Sequence, residues 1–252
     1  MRQINCKGTL VDLSHPKVMG ILNITPDSFY DGGKFRSDKE ILKQVELMLN
    51  EGATFIDIGA YSSRPNAQHI SLDEELKRLM PVVQTVLLHF PGALLSVDTF
   101  RSVVARESID AGACMINDIS AGSMDKNMFA TIASLQVPYI IMHMVGTPQN
   151  MQQHTSYKDL VQEIIRYFSA KIFELRKLGV NDIILDPGFG FSKTLDQNYD
   201  LLSKLDCLAF LDVPMLTGLS RKSMLYNLLQ IKPDEALNAT SVVNTIALQK
   251  RK

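Results

Sequence analysis

Side chains able to do chemistry recur at one kind of place in this sequence, the far end of a short apolar run. They are Asn23, Asp57, Asp98, Asn117 beside Asp118, His143, Asp186 and the group Ser220-Arg221-Lys222-Ser223. A carboxylate in a stretch such as "LLSVDT" or "IILDPG" must be paired or face a wet cavity, because burying it alone is very costly. One such Asp would be unremarkable. Several at equivalent places describe a polar cup. The group "SRKS" is weak by itself, since two cations and two hydroxyls at a helix start occur on many surfaces. Directly after a strand, however, it puts a basic pair where an anion could also use helix N–H groups. No nucleotide fingerprint accompanies it. "GFGF" (188–191) lacks both the third Gly of GxGxxG and the Gly-Lys-Ser/Thr of a P-loop.

The elements that must hold these residues alternate. The pattern predicts seven strands, at 17–24, 54–59, 93–98, 114–119, 138–143, 182–187 and 213–219. Helical stretches separate or follow them at 39–50, 73–89, 101–111, 127–135, 157–178, 195–209, 222–230 and 236–249. Gly52, Gly112 and Gly179 close helices, and Ser37-x-x-Glu40 and Ser71-x-x-Glu74 open them as capping boxes. Strand and helix in alternation imply parallel strands joined by crossovers. With no linker or low-complexity break, the expected architecture is one (β/α) barrel spanning 1–252, with its chemistry at the C-terminal strand ends. An open doubly wound sheet is the competing reading. "INCKGTLVDL", ahead of the first barrel strand, reads as a small hairpin covering the lower end of the barrel.

Period-two alternation refines the cup. Ser96 and Asp98 share one face of their strand. Asn117 and Asp118 face opposite ways, so Asn117 is expected to point inward and Asp118 to cap or pair outside. Bland readings stand beside the functional ones. Asp57 in "FIDIG" is equally a brace for loop backbone. His143 in "IIMHM" reads as a satisfied core histidine before a ligand, and Met142 and Met144 as core filler. Arg64 by itself is an ordinary loop cation.

Composition narrows the function classes. The 252 residues carry a net charge of −1 and are 46% hydrophobic, enough for one barrel-sized core. Near-neutral charge leaves no footprint for nucleic acid or an anionic membrane. No apolar run approaches the roughly 20 residues of a membrane span. "MRQINCKGTL" has no signal-peptide core. Cys6, Cys114 and Cys207 stand far apart, which reads as a reducing cytosol with neither disulfides nor zinc.

Taken in order, "MGILNITPDSFYDGG", "IDIGAYSSRP", "SVDT", "INDIS", "MHM", "LDPGFGF" and "GLSRKSM" resemble the successive motifs of the dihydropteroate synthase family. The resemblance covers about 17–250, nearly the whole chain. It implies a (β/α)8 TIM barrel that condenses a hydroxymethyl-dihydropterin pyrophosphate with p-aminobenzoate in folate synthesis. It implies too a cytoplasmic homodimer and a sulfonamide target. Asp186 and Asn117 would hydrogen-bond the pterin edge, Lys222 would reach it from the seventh strand, and Asp98 would stabilise a cation formed as pyrophosphate leaves. Asn23 would contact Mg²⁺ carried with the pyrophosphate. Ser63 and Arg64 match positions near the leaving group, and Pro65, Phe189 and Ser220 match contacts to aminobenzoate. The segments 25–35 and 61–68 resemble the family's two mobile loops, which would close over the pterin and build the aminobenzoate pocket.

Two departures stand out. Ala60, Tyr61 and Ser63 occupy places where many relatives have Gly, Glu and Thr. The family's eighth strand, with its Arg-x-His, has no counterpart before the final "ALQKRK". Seven strands would leave two unpaired edges, so an eighth strand after Gln249 is expected in the native protein. A pterin-binding methyltransferase barrel and a non-catalytic pterin or phosphate binder are the alternative readings. The first loop with its Phe and "SRKS" argue against the methyltransferase, which has no aminobenzoate to seat.

Overall fold

The computed structural model describes residues 3–24, 38–63 and 69–250. The first loop, the Ser37 cap, and Arg64 and Pro65 therefore lie outside the described residues. A hairpin comes first, β1 (Gln3–Cys6) pairing antiparallel with β2 (Thr9–Asp12). Six strands then pair in parallel and in chain order: β3 (Met19–Asn23), β4 (Phe55–Gly59), β5 (Leu94–Asp98), β6 (Met115–Asp118), β7 (Tyr139–Met142) and β8 (Ile183–Asp186). The crossovers run through α1 (Asp38–Asn50), α2 (Leu72–His89), α3 (Ser102–Asp110), α4 (Met128–Leu135) and α5 (Leu160–Lys177). After β8 come α6 (Leu195–Ser203), α7 (Ser223–Leu229) and α8 (Leu237–Lys250). This is the sequential parallel order of a (β/α) barrel, as expected.

The strand pleat sorts side chains into two environments. Ile56, Ile58, Leu95, Val97 and Ile116 pack outward against Val45, Leu79, Val83, Val104 and Phe168 of the helices. Asp57, Ser96, Asp98 and Asn117 occupy the alternate positions and face inward. The N-terminal end of the barrel is sealed with apolar side chains. Ile4, Cys6, Val11 and Leu13 of the hairpin region pack on Phe55, Cys114, Met115, Ile140 and Ile184. The hairpin thus covers the lower end, and the polar groups are left at the opposite one.

Three local features follow the sequence closely. Ser71 caps α2, its Oγ accepting from Glu74 N at 3.2 Å. Asp159 caps α5 in the same way, accepting from Gln162 N at 3.0 Å, so that helix begins later than the pattern suggested. Gly52, Gly112 and Gly179 all have positive φ at helix ends. Two features differ. The expected helix at 195–209 stops at Ser203 and continues as a 3-10 turn over Leu205–Leu211. The expected seventh strand at 213–219 is reduced to one parallel bridge between Leu185 and Met215. Leu185 N donates to Pro214 O at 2.9 Å and Leu216 N donates to Leu185 O at 2.8 Å. The segment lies beside β8 in the seventh place, but Pro214 has no N–H to extend the ladder.

Among the described residues, β3 pairs with β4 alone. No described helix is long and apolar enough to cross a membrane.

Candidate active site

Register builds the site. Asn23 lies beside Gly59, Gly59 beside Asp98, and Asp98 beside Asn117, so one rung at the C-terminal end carries three polar side chains. Gly59 leaves the space between them open. A Cβ there would stand 3.3 Å from Asp98 Oδ2 and 3.6 Å from Asn23 Oδ1. One inward layer down, Asp57 pairs in register with Ser96. Asn117 reaches across β5, over the small Ser96 side chain, and its Nδ2 donates to Asp57 Oδ2 at 3.0 Å. Asp57 therefore braces a side chain of the cup and not loop backbone.

The far wall comes from β8 and the turn before α7. Asp186 Oδ1 accepts from Gly188 N at 2.8 Å, which aims the carboxylate. Its Oδ2 and the Lys222 side chain both border Gly218, where an added Cβ would stand 3.7 Å from Asp186 Oδ2 and 3.8 Å from Lys222 Cε. Lys222 Nζ sits 4.9 Å above the Phe191 ring.

The charges strain against their burial. Burial raises the Asp98 pKa well above the ordinary value, the carboxylates of Asp57, Glu75 and Asp118 add to the rise, and Lys222 opposes it. Asp186 is also raised by burial, against the Gly188 N–H, Lys222 and Lys193. Asp57 is raised by burial too, opposed by Ser96 and Asn117 and reinforced by Asp186. The Ser96 hydroxyl is near enough to act on Asp57 electrostatically, yet Ser96 Oγ and Asp57 Oδ1 are buried without a well-formed hydrogen bond. Lys222 is pushed down by burial and held up by Asp186 and Asp98. An unsatisfied cup of this kind favours a ligand that brings N–H donors and developing positive charge to its carboxylates.

The alternation argument holds on β6. Asp118 is fully buried on the outer side, accepting from Ser120 N, Ser120 Oγ, Gly122 N and Tyr139 Oη at 2.6–2.8 Å. His143 is the core histidine expected. Its Nδ1 faces Lys193 Nζ at 3.0 Å, and burial with the nearby Lys193 cation drops its pKa to about 2. Since ammonium only donates, Nδ1 accepts and the ring is neutral.

Lys193 itself escaped sequence reasoning. It is buried and also donates to Gly188 O at 2.9 Å and Phe191 O at 3.0 Å, tying the turn after β8 to β7. Burial lowers its pKa to about 7. Its only signal was a lysine directly after the Gly-rich "GFGFS" turn. Glu75 was missed as well, although a carboxylate on the apolar stripe of α2 between Leu72 and Leu79 demands a partner. It accepts from Thr99 Oγ1 at 2.7 Å and pairs with Arg101.

The structure thus brings Asn23, Asp57, Asp98, Asn117, Asp186 and Lys222 to one end of the strands. Ser63 is half-buried past the end of β4, Phe189 is buried in the main core, and Ser220 is exposed. Among the described residues no cluster of three or more His, Cys, Asp or Glu side chains could cage a metal.

Comparison with known proteins agrees with this arrangement. The pterin binding enzyme family matches residues 19–251. The dihydropteroate synthase of Escherichia coli (strain K12) is 44% identical over 243 residues, which is 96% of this chain and 86% of that one. A crystal structure of the Yersinia pestis dihydropteroate synthase in a sulfonamide drug complex superposes with a TM-score of 0.92 at 42% identity, covering 98% of this chain and 90% of that one. The Xanthomonas albilineans dihydropteroate synthase with 4-aminobenzoic acid gives a TM-score of 0.91 at 36% identity, covering 99% and 89%. The inward carboxylates, the amide and the lysine are thus set in a fold shared with these enzymes over nearly its full length, and the chain belongs to the pterin binding enzyme family.

Proposed function

We infer that this protein is a dihydropteroate synthase, joining 6-hydroxymethyl-7,8-dihydropterin pyrophosphate to p-aminobenzoate to give 7,8-dihydropteroate and pyrophosphate. The observation that carries the reading is the gathering of Asp98, Asn117, Asp186 and Lys222 at one end of the barrel, in a cup that burial leaves short of donors.

Each side chain has work suited to its surroundings. The Asp186 carboxylate, aimed by Gly188 N, accepts from the amide and amino N–H groups of the pterin. Asn117 gives one Nδ2 hydrogen to Asp57, which fixes the amide's orientation and leaves its Oδ1 free to accept from a ligand donor. Lys222, beside Asp186, donates to the ring edge. Asp98 lies where positive charge grows on the pterin methylene as the C–O bond breaks and pyrophosphate leaves with the electron pair. The aminobenzoate nitrogen then bonds to that carbon and releases a proton. No covalent enzyme intermediate is needed.

Mg²⁺ would be held by Asn23. Its Oδ1 stands at an exposed strand end across Gly59 from Asp98, a hard oxygen suited to an ion that takes its other ligands from phosphate and water. The ion would neutralise the leaving pyrophosphate. Ser63 and Arg64 serve the leaving group in this reading, and Pro65 and Ser220 seat aminobenzoate, whereas Phe189, 1% exposed in the main core, does not reach a ligand there. A single domain over 1–252, a cytoplasmic location and a homodimer complete the proposal.

The test is pyrophosphate release from the pterin substrate with and without p-aminobenzoate. Release that requires both substrates supports the synthase. Pterin binding without release would make the protein a binder only.

A further inference from the structure

Tyr61 stands two residues past the end of β4, with its side chain buried to within 5% of full coverage. Its ring packs edge-on against Phe100 at 4.9 Å and lies under the Arg101 guanidinium at 5.7 Å. Tyr61 and Phe100 share an apolar cluster with Met142 and Phe191 at the strand ends. Phe100 follows Asp98 by two residues, and Phe191 is the ring beneath Lys222. Tyr61 is therefore part of the wall of the mouth.

Its proton positions follow from Arg101. A guanidinium has donors only, and Arg101 Nη2 faces His69 Nε2 at 3.3 Å. That nitrogen therefore accepts, which places the ring hydrogen on Nδ1. Nδ1–H donates to Tyr61 Oη at 3.0 Å. Gln149 Nε2 donates to the same oxygen at 2.9 Å. Two donors fill the phenol's lone pairs and leave its own hydrogen without an acceptor among the described residues. The frame behind it is firm. Arg101 also donates to Ile70 O at 2.6 Å and Ser71 O at 3.3 Å, and pairs with buried Glu75. A hydroxyl that accepts two hydrogen bonds is polarised into a stronger donor.

We propose that Tyr61 donates its uncommitted hydroxyl hydrogen to an anionic oxygen bound at the mouth, from either the pyrophosphate or the aminobenzoate carboxylate. The proposal rests on the synthase reading. It gives Tyr61 a specificity role in place of the acid found at this position in the motif that this stretch resembles.

Tyr61→Phe keeps the ring and removes the donor. Calorimetry on wild type and variant would measure pyrophosphate binding with pterin and Mg²⁺ present, then p-aminobenzoate binding to that complex. The expected result is a loss of about 10- to 100-fold for one of the two ligands, the size of a hydrogen bond to a charged acceptor. The ligand that weakens identifies the source of the oxygen. If wild type binds neither ligand, the synthase reading itself fails. If wild type binds both and Tyr61→Phe matches it within about twofold, Tyr61 donates to neither ligand and the proposal is overturned.

Gln149→Leu removes one donor but leaves the hydrogen, so its cost should stay below about threefold. Tighter binding in that variant would mean that Gln149 had been accepting the hydrogen, which overturns the proton assignment. Should Tyr61→Phe not fold, a crystal structure of the wild type with pyrophosphate and p-aminobenzoate decides. Tyr61 Oη within about 3.0 Å of a ligand oxygen sustains the proposal, and no such contact overturns it.

Discussion

Asn117 and Asp57 are joined across an intervening strand, Asn117 Nδ2 donating to Asp57 Oδ2 at 3.0 Å with Ser96 between them. A carboxylate offers only acceptors, so this bond fixes which end of the Asn117 amide turns to a ligand. Asp57 is thus a positioning residue. It touches the reaction through Asn117.

Removing the brace is expected to weaken pterin without unfolding the barrel. Asp57→Ala frees the amide to turn, and calorimetry should show pterin affinity reduced by about 10-fold or more, one lost hydrogen bond to a charged group. Asp57→Asn can still present an acceptor, so its loss should be smaller. Equal pterin affinity in wild type and Asp57→Ala would show that Asn117 needs no brace.

Asp186→Ala should abolish detectable pterin binding. Loss of a buried charged partner costs roughly 2–5 kcal/mol and removes the carboxylate that most opposes the effect of burial on Lys222. Wild-type-like calorimetry for this variant would refute the assignment of Asp186 to the pterin edge.

Gly188 is a backbone necessity. Its φ is +71°, and a Cβ there would collide with the His143 carbonyl oxygen. Gly188→Ala should therefore destabilise by about 3 kcal/mol or more, read as a fall in the urea midpoint. Gly8→Ala is the control, with φ +86° and open space around the new methyl, and should cost about 1 kcal/mol. Similar losses in both would mean that the turn after β8 yields easily.

Acid stability should carry the mark of His143. Its folded pKa is about 2, against an ordinary 6.5, because of burial and then Lys193. Below pH 6.5 the unfolded chain binds a proton that the folded chain refuses. The stability from neutral His143 is therefore complete above pH 6.5 and drains away as pH falls below it, by about 1.4 kcal/mol per unit. Urea titrations between about pH 6.5 and 4.5 should show a shallower slope for His143→Gln, by about one proton. Identical slopes would mean that His143 takes up a proton freely in the folded state.

What the sequence made legible was whatever depends on period and position. Asp98, Asn117 and Asp186 stand at the ends of apolar runs. The pleat alone separates Asn117 from Asp118, and the structure bears this out in the buried outer partners of Asp118. What stayed hidden depends on contacts between distant segments. Nothing local says that Lys193 will reach His143, 50 residues away, or that Glu75 will pair with Arg101, 26 away. The stretch 213–219 is apolar enough for a strand, yet Pro214 and Pro187, each without an N–H, stop its ladder on either side of one bridge. Asp57 was undecided between brace and site because its partner, Asn117, lies 60 residues on.

The central claim is that Asp98, Asn117, Asp186 and Lys222 converge on a pterin. A crystal structure of the protein soaked with the dihydropterin pyrophosphate tests it most directly. The account predicts Asp186 oxygens, Asn117 Oδ1 and Lys222 Nζ each within about 3.2 Å of a ring heteroatom, with Asp98 beside the methylene carbon. A pterin bound elsewhere, or held at this end of the barrel without Asp186 and Asn117, would contradict it.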